Sequence, residues 1–506
     1  MVSRSDADPI TTPTRGLAIS LLPVRLGRQS SCPGPCRPAV GSARHGGRTL
    51  ADRISSILAR YASEAATDGL GPQTDHELRR RLLDAVGVGI AGLDEAPAVA
   101  ARRYAGSSAG RVTIWGTDAS ASAEAAGFAN GVAVRCLDFN DTYLSLEPLH
   151  PSDTIAALLA LAEDRGLGAW GLLEAIAISY EVGMTLCDAL DLRARGWDHV
   201  NVVGIAAACG AGRLLGLRAE TLDHAVALVT VPHAAMRETR TGELSMWKGA
   251  AAAHAARLGV SAALLADAGM TGPGRPFEGP MGFVHQLLGD GGLDATALER
   301  LERLEEPRRV LDTHVKRWPV EYHAQSAVDA ALTVRRDLDE DPSGIASVRI
   351  ETFRAAREII AGDPEKWDPR TRETADHSLP FIVCAALQDG DVTRRTFDLE
   401  RVRRPDTLAL LARTTVEEDD ALTAGYPAGI PNRLIVTTTD GATLAREVTY
   451  PRGHARNPMA DDELAAKYRA NVAGRWGAER SAAVEDAVWR LGEVDGLDRL
   501  MEGLRG

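Results

Sequence analysis

Residues 250–268 read Ala250-Ala-Ala-Ala-His254-Ala-Ala-Arg257-Leu-Gly-Val-Ser-Ala-Ala-Leu-Leu-Ala-Asp-Ala268. Alanine gives up no side-chain entropy on entering a helix, so a run this rich in it is helical by intrinsic preference. His254 and Arg257 cut the apolar run far short of the ~18 residues that a membrane span needs, so the segment belongs in a folded core. The same texture extends to both sides. Thr74 followed by Glu77 spells a capping box, and Leu78, Leu82, Leu83 and Val86 follow at helical spacing. Further helical patterns cover 120–134, 154–164, 171–190, 203–215 and 219–231, which makes residues 49–307 the first part of an all-helical domain.

After Pro307 the text changes. Ser347-Val-Arg-Ile-Glu-Thr-Phe353 and Arg433-Leu-Ile-Val-Thr-Thr-Thr439 are β-branched runs, and Asp440-Gly441 before 444–450 predicts a hairpin with a primed turn. Helical patterns at 325–338, 378–387 and 405–412 lie between and beside these runs. Residues 308–455 thus read as a smaller α+β domain. Helical patterns return at 461–469 and 481–491, so residues 456–506 complete a discontinuous helical domain. The predicted class is mainly α: a large all-helical domain carrying a smaller α+β lid. Residues 1–48, rich in Ser, Pro, Gly and Arg, read as a disordered extension.

The chain has 506 residues, which at about 150 per domain allows two to four domains. A net charge of −13 disfavours a nucleic-acid groove, which requires a basic face. No apolar run is long enough to span a membrane. The six cysteines are too scattered for a disulfide framework, which points to a reducing cytoplasm. Cys32 and Cys36 lack the second Cys/His pair of a zinc knuckle.

Two motifs match by letter only. Gly87-Val-Gly-Ile-Ala-Gly92 has the dinucleotide fingerprint but follows a charged helical pattern rather than a strand, and reads better as a small-residue helix face. Gly106-Ser-Ser-Ala-Gly110 has the letters of a nucleophile elbow without the buried strand that precedes one, and reads as a loop. Asp138-Phe-Asn-Asp141 begins like a calcium loop but has Tyr143 and Leu149 where Gly and Glu are required.

Other strings carry chemistry. Arg135-Cys-Leu-Asp-Phe-Asn-Asp-Thr-Tyr143 and His150-Pro-Ser-Asp153 put carboxylates, a hydroxyl and an imidazole in one inter-helix connection. They also read as a capped loop, with Ser152 as N-cap and Asp141 bracing the turn. Residues 237–248, which hold Arg237, Arg240 and Lys248, end where a helix begins and form a candidate anion site, or else an exposed basic loop offset by Glu238 and Glu243. Trp197-Asp-His-Val-Asn201 and Lys316-Arg-Trp-Pro-Val-Glu-Tyr-His323 add imidazoles and cations.

In order along the chain, these strings resemble the MmgE/PrpD family, the 2-methylcitrate dehydratases and their relative cis-aconitate decarboxylase. The resemblance extends through Gly242-Glu-Leu-Ser-Met-Trp-Lys-Gly249, Thr271-Gly-Pro273, Phe277-Glu-Gly279, Tyr322-His-Ala-Gln-Ser326, Arg372-Glu-Thr-Ala-Asp-His-Ser378 and Tyr450-Pro-Arg-Gly-His454 with Asn457-Pro458. It implies a homodimer and catalysis with no cofactor and no metal. The step from Thr142 to His150 resembles the dehydratase branch more than the decarboxylase.

The resemblance implies dehydration of 2-methylcitrate or a close tricarboxylate, and places catalytic positions on Asp138, His150, His199 and Lys248. Substrate-binding positions fall on Thr142, Arg240, Lys316, His323 and Phe381. Such a reaction removes a proton beside a carboxylate while a hydroxyl leaves as water, so it needs a base, an acid and cations. His150 or Lys248 is expected to handle the protons, Asp138 to hold a cationic partner, and Lys316 to bind a carboxylate. The helix starts after His150 and Lys248 are expected to add N–H donors, and Lys248→Ala to abolish turnover with the fold intact. Phe381 stands where the family usually has Tyr. The competing readings are a decarboxylase or epimerase of a related polycarboxylate such as cis-aconitate, and a catalytically silent carboxylate-binding relative.

Overall fold

The computed structural model describes residues 52–67, 70–289, 291–493 and 496–506; the expectations for residues 1–48, including Cys32 and Cys36, lie outside these. Its helical part opens with α1 (Arg53–Glu64), α2 (Pro72–Gly92), α3 (Ala96–Ala105), α4 (Ala123–Arg135), α5 (Ile155–Arg165), α6 (Ala169–Ala189), α7 (Val200–Leu214), α8 (Ala219–Thr230) and α9 (Ala251–Asp267). α7 lies between α6 and α9, and α4 packs on α2, α5 and α9. The alanine-rich text has a steric purpose here. A Cβ on Gly92 would stand 2.2 Å from the Ala133 carbonyl oxygen, so α2 and α4 approach more closely than any larger residue allows. Gly87-Val-Gly-Ile-Ala-Gly92 is accordingly a packing face inside a helix.

Two local expectations are corrected. The capping box at Thr74 does not form, because Pro72, with its fixed φ suited to the first helical position, starts α2 two residues earlier. Glu77 instead pairs with Arg81 at 2.7 Å. α4 begins after Ser122, whose hydroxyl accepts from the Ala125 N–H at 3.3 Å, while Ser120 pairs in a short ribbon, β1 (Val112–Thr113) with β2 (Ser120–Ala121).

The second cluster is built on four strands: β3 (Ile345–Thr352), β4 (Thr414–Glu418), β5 (Asn432–Thr438) and β6 (Thr443–Val448), in the order β4-β3-β5-β6. β4 runs parallel to β3, and the other neighbours are antiparallel. Val348 and Ile350 of β3 face Val436 and Leu434 of β5 in register, and all four are buried against the helices Gln325–Asp337 and Leu379–Asp389. The primed turn is also corrected. Only Gly441 has positive φ, +89°, and its N–H donates to the Thr438 carbonyl at 3.0 Å. The connection is therefore a three-residue loop ending in a left-handed glycine.

The helices Asp461–Val472, Ala478–Trp489 and Gly496–Leu504 return to the first core, where Tyr468, Val484 and Leu500 join the residues of α1 to α9. The crossing between the two cores is pinned by backbone. Thr142 and His314 exchange hydrogen bonds of 2.9 and 2.8 Å, and the Val315 N–H donates to Gly453 at 2.9 Å. Gly453 has φ +100°, and a Cβ there would stand 2.0 Å from the Val315 oxygen, which explains the glycine of the Tyr450-Pro-Arg-Gly-His454 string. Among the described residues no helix is long and apolar enough to cross a membrane.

Candidate active site

α4 ends at Arg135, and the chain then turns through Asp138 in the left-handed region, φ 50°, an unfavourable setting for a residue with a Cβ. The turn delivers the Asp138 carboxylate to a point where cations from distant segments meet. The Arg135 guanidinium pairs with it directly. The Lys316 ammonium lies 3.0 Å from Oδ1 and 2.8 Å from the Asp138 carbonyl oxygen. Lys248 Nζ stands 3.8 Å from Oδ2, and His377 Nε2 3.6 Å from the same oxygen. Burial alone would raise the carboxyl, but Arg135, Lys248, Lys316 and His377 together hold it well below the usual range, so it stays ionised.

Three imidazoles are oriented in the same manner. His150 Nδ1 is 2.7 Å from the Asp141 carbonyl oxygen, which can only accept, so Nδ1 carries the proton and Nε2 is left as a base 3.9 Å from Asp138 Oδ1. Asp141 is itself fixed by the Ser152 N–H at 3.0 Å and the Tyr180 hydroxyl at 2.8 Å. His199 Nδ1 lies 3.0 Å from Asp198 Oδ1, Arg240 holds the other Asp198 oxygen at 3.1 Å, and His199 Nε2 is buried with no partner. His377 Nδ1 bonds Asp376. The rings of His150 and His199 meet edge to face, 5.9 Å apart. Burial pushes all three imidazoles down, aided at His150 by Arg135 and Lys316, and at His377, which falls to about 4, by Lys248. They are neutral at neutral pH and able to accept a proton.

These groups border a cavity of about 300 Å³. Its lining also holds Arg193 and Arg237, on two short turns joined by the Arg237 N–H donating to Gly196 at 2.9 Å. Neither guanidinium forms an ion pair among the described residues, and burial and Arg193 push Arg237 below its ordinary value. The lining also holds the carboxyl groups of Asp138, Glu147, Asp198, Glu321, Glu358 and Asp363, of which Asp138 and Asp198 are paired with Arg135 and Arg240, so the two guanidinium groups without an ion pair are the cations left for an anionic ligand. Among the described residues no group of three or more His, Cys, Asp or Glu side chains is placed to hold a metal ion.

Asp138, Thr142, His150, His199, Arg240 and His323 all border the cavity. The Thr142 hydroxyl donates to the Leu149 carbonyl at 3.1 Å, and His323 is held by Glu321 at 2.7 Å. Lys248 and Lys316 reach the same cluster from behind: both are 0% exposed, with their ammonium groups engaged by Asp138 and, for Lys248, by Asp376 at 3.4 Å. Lys316 is thus engaged by Asp138 and does not itself border the cavity. Phe381 does not border the cavity either. It is fully buried in the second core, 6.1 Å from the Phe397 ring, because it sits in the first turn of a helix whose residues are apolar from Leu379 to Leu387. The expected helix-start donors are corrected too: the turn after His150 begins at Pro151, Ser152 is not its cap, and the Ser152 N–H is taken by Asp141. Residues 249–253 do not border the cavity.

Sequence reasoning passed over Glu147, Arg193, Asp376 and His377 as site residues, while Arg237 stood at the start of the candidate anion site of residues 237–248. Asp376 and His377 stood in a recognised string and could have been assigned from it. Arg193 carries no such mark, since text of this kind usually faces solvent.

The MmgE/PrpD N-terminal domain matches residues 56–296, and the MmgE/PrpD C-terminal domain matches residues 318–491. The chain is 30% identical over 389 residues to a 2-methylcitrate dehydratase of Cupriavidus necator, covering 71% of this chain and 77% of that protein. It is 28% identical over 391 residues to a 2-methylcitrate dehydratase of Salmonella typhimurium, covering 71% and 77%. With the cis-aconitate decarboxylase of Homo sapiens it shares 26% identity over 479 residues, 90% of this chain and 95% of that one.

Proposed function

The chain belongs to the MmgE/PrpD family, and we propose that it is a hydro-lyase that removes water from 2-methylcitrate or a close tricarboxylate, forming 2-methyl-cis-aconitate where 2-methylcitrate is the substrate. The observation that carries this reading is one cavity in which neutral imidazoles face unpaired guanidinium groups. A polycarboxylate places its negative groups on Arg193 and Arg237, whose forked donors match carboxylate geometry. Its acidic C–H then lies toward His150. His150 Nε2 takes the proton, and the Asp138 carboxylate, 3.9 Å away, stabilises the imidazolium as it forms. Arg135, Lys248 and Lys316 keep Asp138 ionised for that task. His199, oriented by Asp198, contacts the substrate from the other side through its unpartnered Nε2.

The names of the relatives from Cupriavidus and Salmonella support dehydration. One observation favours a second reading, decarboxylation of a related polycarboxylate: the human cis-aconitate decarboxylase aligns over 90% of the chain, and the same cations stabilise a carbanion formed either way. Purified protein given 2-methylcitrate, citrate and cis-aconitate separates them. Dehydration raises ultraviolet absorbance as the conjugated alkene forms, without gas. Carbon dioxide release from cis-aconitate replaces the first reading by the second, and silence on all three substrates removes both.

A further inference from the structure

The hairpin that carries His150 also carries a second ionisable group. Tyr143 and Leu149 pair through hydrogen bonds of 2.8 and 2.9 Å, and the loop they close projects Glu147 into the cavity wall. Its backbone N–H donates to the Cys187 carbonyl at 3.0 Å, which anchors the loop on the end of α6. The side chain is 1% exposed. One carboxyl oxygen accepts the Arg193 N–H, and the other is buried without a partner. An unpartnered buried carboxyl oxygen is costly unless it is protonated or meets a ligand. On the dehydratase reading above, we infer that Glu147 is the general acid of the site, donating its proton to the departing hydroxyl while His150 removes the C–H proton.

The step balances. The C–H pair becomes the second bond between the two carbons, and the proton moves to His150 Nε2. The C–O bond breaks, and the leaving oxygen takes the Glu147 proton and departs as water. Glu147 is left as a carboxylate beside Arg193, and exchange with solvent returns one proton to Glu147 and removes one from His150. Burial pushes Glu147 up to about 7, while the Arg193 and Leu192 N–H groups and the Arg193 charge pull it down. Asp191 pushes it further up, and Arg237, Cys187 and Tyr426 also face it. Burial thus moves the acid up and the imidazole down, which separates their roles at one pH.

The test compares wild type and Glu147→Gln on 2-methylcitrate and on the analogue with fluorine in place of the hydroxyl, since fluoride leaves without a proton. The variant is expected to lose turnover of the hydroxyl substrate by about 10²-fold or more. It is expected to keep fluoride release within a few-fold, and to lose the fall in rate above about pH 7 that is expected of the wild type. Glu147→Asp, which keeps a proton but withdraws it, replaces the Gln variant if that fails to fold, with a smaller loss on the hydroxyl substrate alone. Equal rates with wild type on both substrates, or equal losses on both, overturn the acid role while leaving the dehydratase reading in place. Wild-type protein inert toward 2-methylcitrate overturns that reading and the inference together.

Discussion

The Lys316 ammonium lies 3.0 Å from Asp138 Oδ1 although 178 positions separate the two residues. The backbone pairing of Thr142 with His314 holds them together, since it lays the segment that ends in Lys316 along the loop that begins at Asp138. Both side chains are out of water; Asp138 keeps Arg135, Lys248 and His377 when Lys316 is removed, whereas Lys316 has no other ion-pair partner among the described residues. Removing one partner of a buried pair costs about 3–5 kcal/mol, because the survivor stays desolvated. Asp138→Asn, which strands the buried Lys316 ammonium, is expected to lower stability by that order in urea unfolding and to abolish turnover. The double variant Lys316→Met with Asp138→Asn is expected to recover much of the stability and none of the activity. Additive losses in the double variant refute the coupling.

Lys248 requires a different expectation from the one its sequence context suggests. Read as text, it stands at the mouth of a helix, and Lys248→Ala takes away activity alone. In the fold it is fully buried between Asp138 and Asp376, and Asp376 Oδ2 has no hydrogen-bond partner. Lys248→Ala leaves Asp376 without its nearest ammonium and opens a void, so it is expected to lower the melting temperature as well as turnover. Calorimetry showing an unchanged transition contradicts this.

How much of this was legible in the text depends on how local the cause is. α5 to α9 could be read because apolar periodicity and alanine content act within each segment. β4, Thr414-Thr-Val-Glu-Glu418, could not: it is a polar edge strand formed by pairing with β3. Asp138, His150, Lys248 and Lys316 were found through a resemblance of strings, and the geometry then gave Lys316 a different partner from the one expected. Glu147 and Arg193 had no string to mark them, and Arg237 was marked only as the start of a candidate anion loop. Their placement depends on loop-to-loop bonds such as Arg237 N–H to Gly196, which no periodicity encodes.

Arg193 and Arg237 offer a test of substrate class. Each charge-assisted hydrogen bond contributes about 1.5–3 kcal/mol, so Arg193→Gln and Arg237→Gln are each expected to raise KM roughly 10- to 100-fold. Arg237→Gln is expected to leave kcat nearly unchanged, whereas Arg193→Gln also removes the charge beside Glu147 and is expected to change kcat as well; added salt is expected to weaken binding less in both variants than in wild type. Steady-state kinetics at two ionic strengths decide this. A loss confined to kcat places the substrate elsewhere.

Asp153 links the site to stability in a way that can be measured without substrate. Burial raises its carboxyl to about 7 against the opposing charge of Arg135, and Oδ2 has no hydrogen-bond partner. A carboxyl whose folded value lies above its unfolded one holds its proton more tightly when folded. Its contribution is complete below the unfolded value of about 4 and is lost as pH rises through about 7. Asp153→Asn removes the titration. The stability of wild type relative to this variant is expected to fall by roughly 1.4 kcal/mol per pH unit between about 4 and 7 and to level off above. Urea midpoints at pH 5, 6, 7 and 8 trace that difference, and a constant offset shows that Asp153 is ionised throughout and held by Arg135 more strongly than burial opposes.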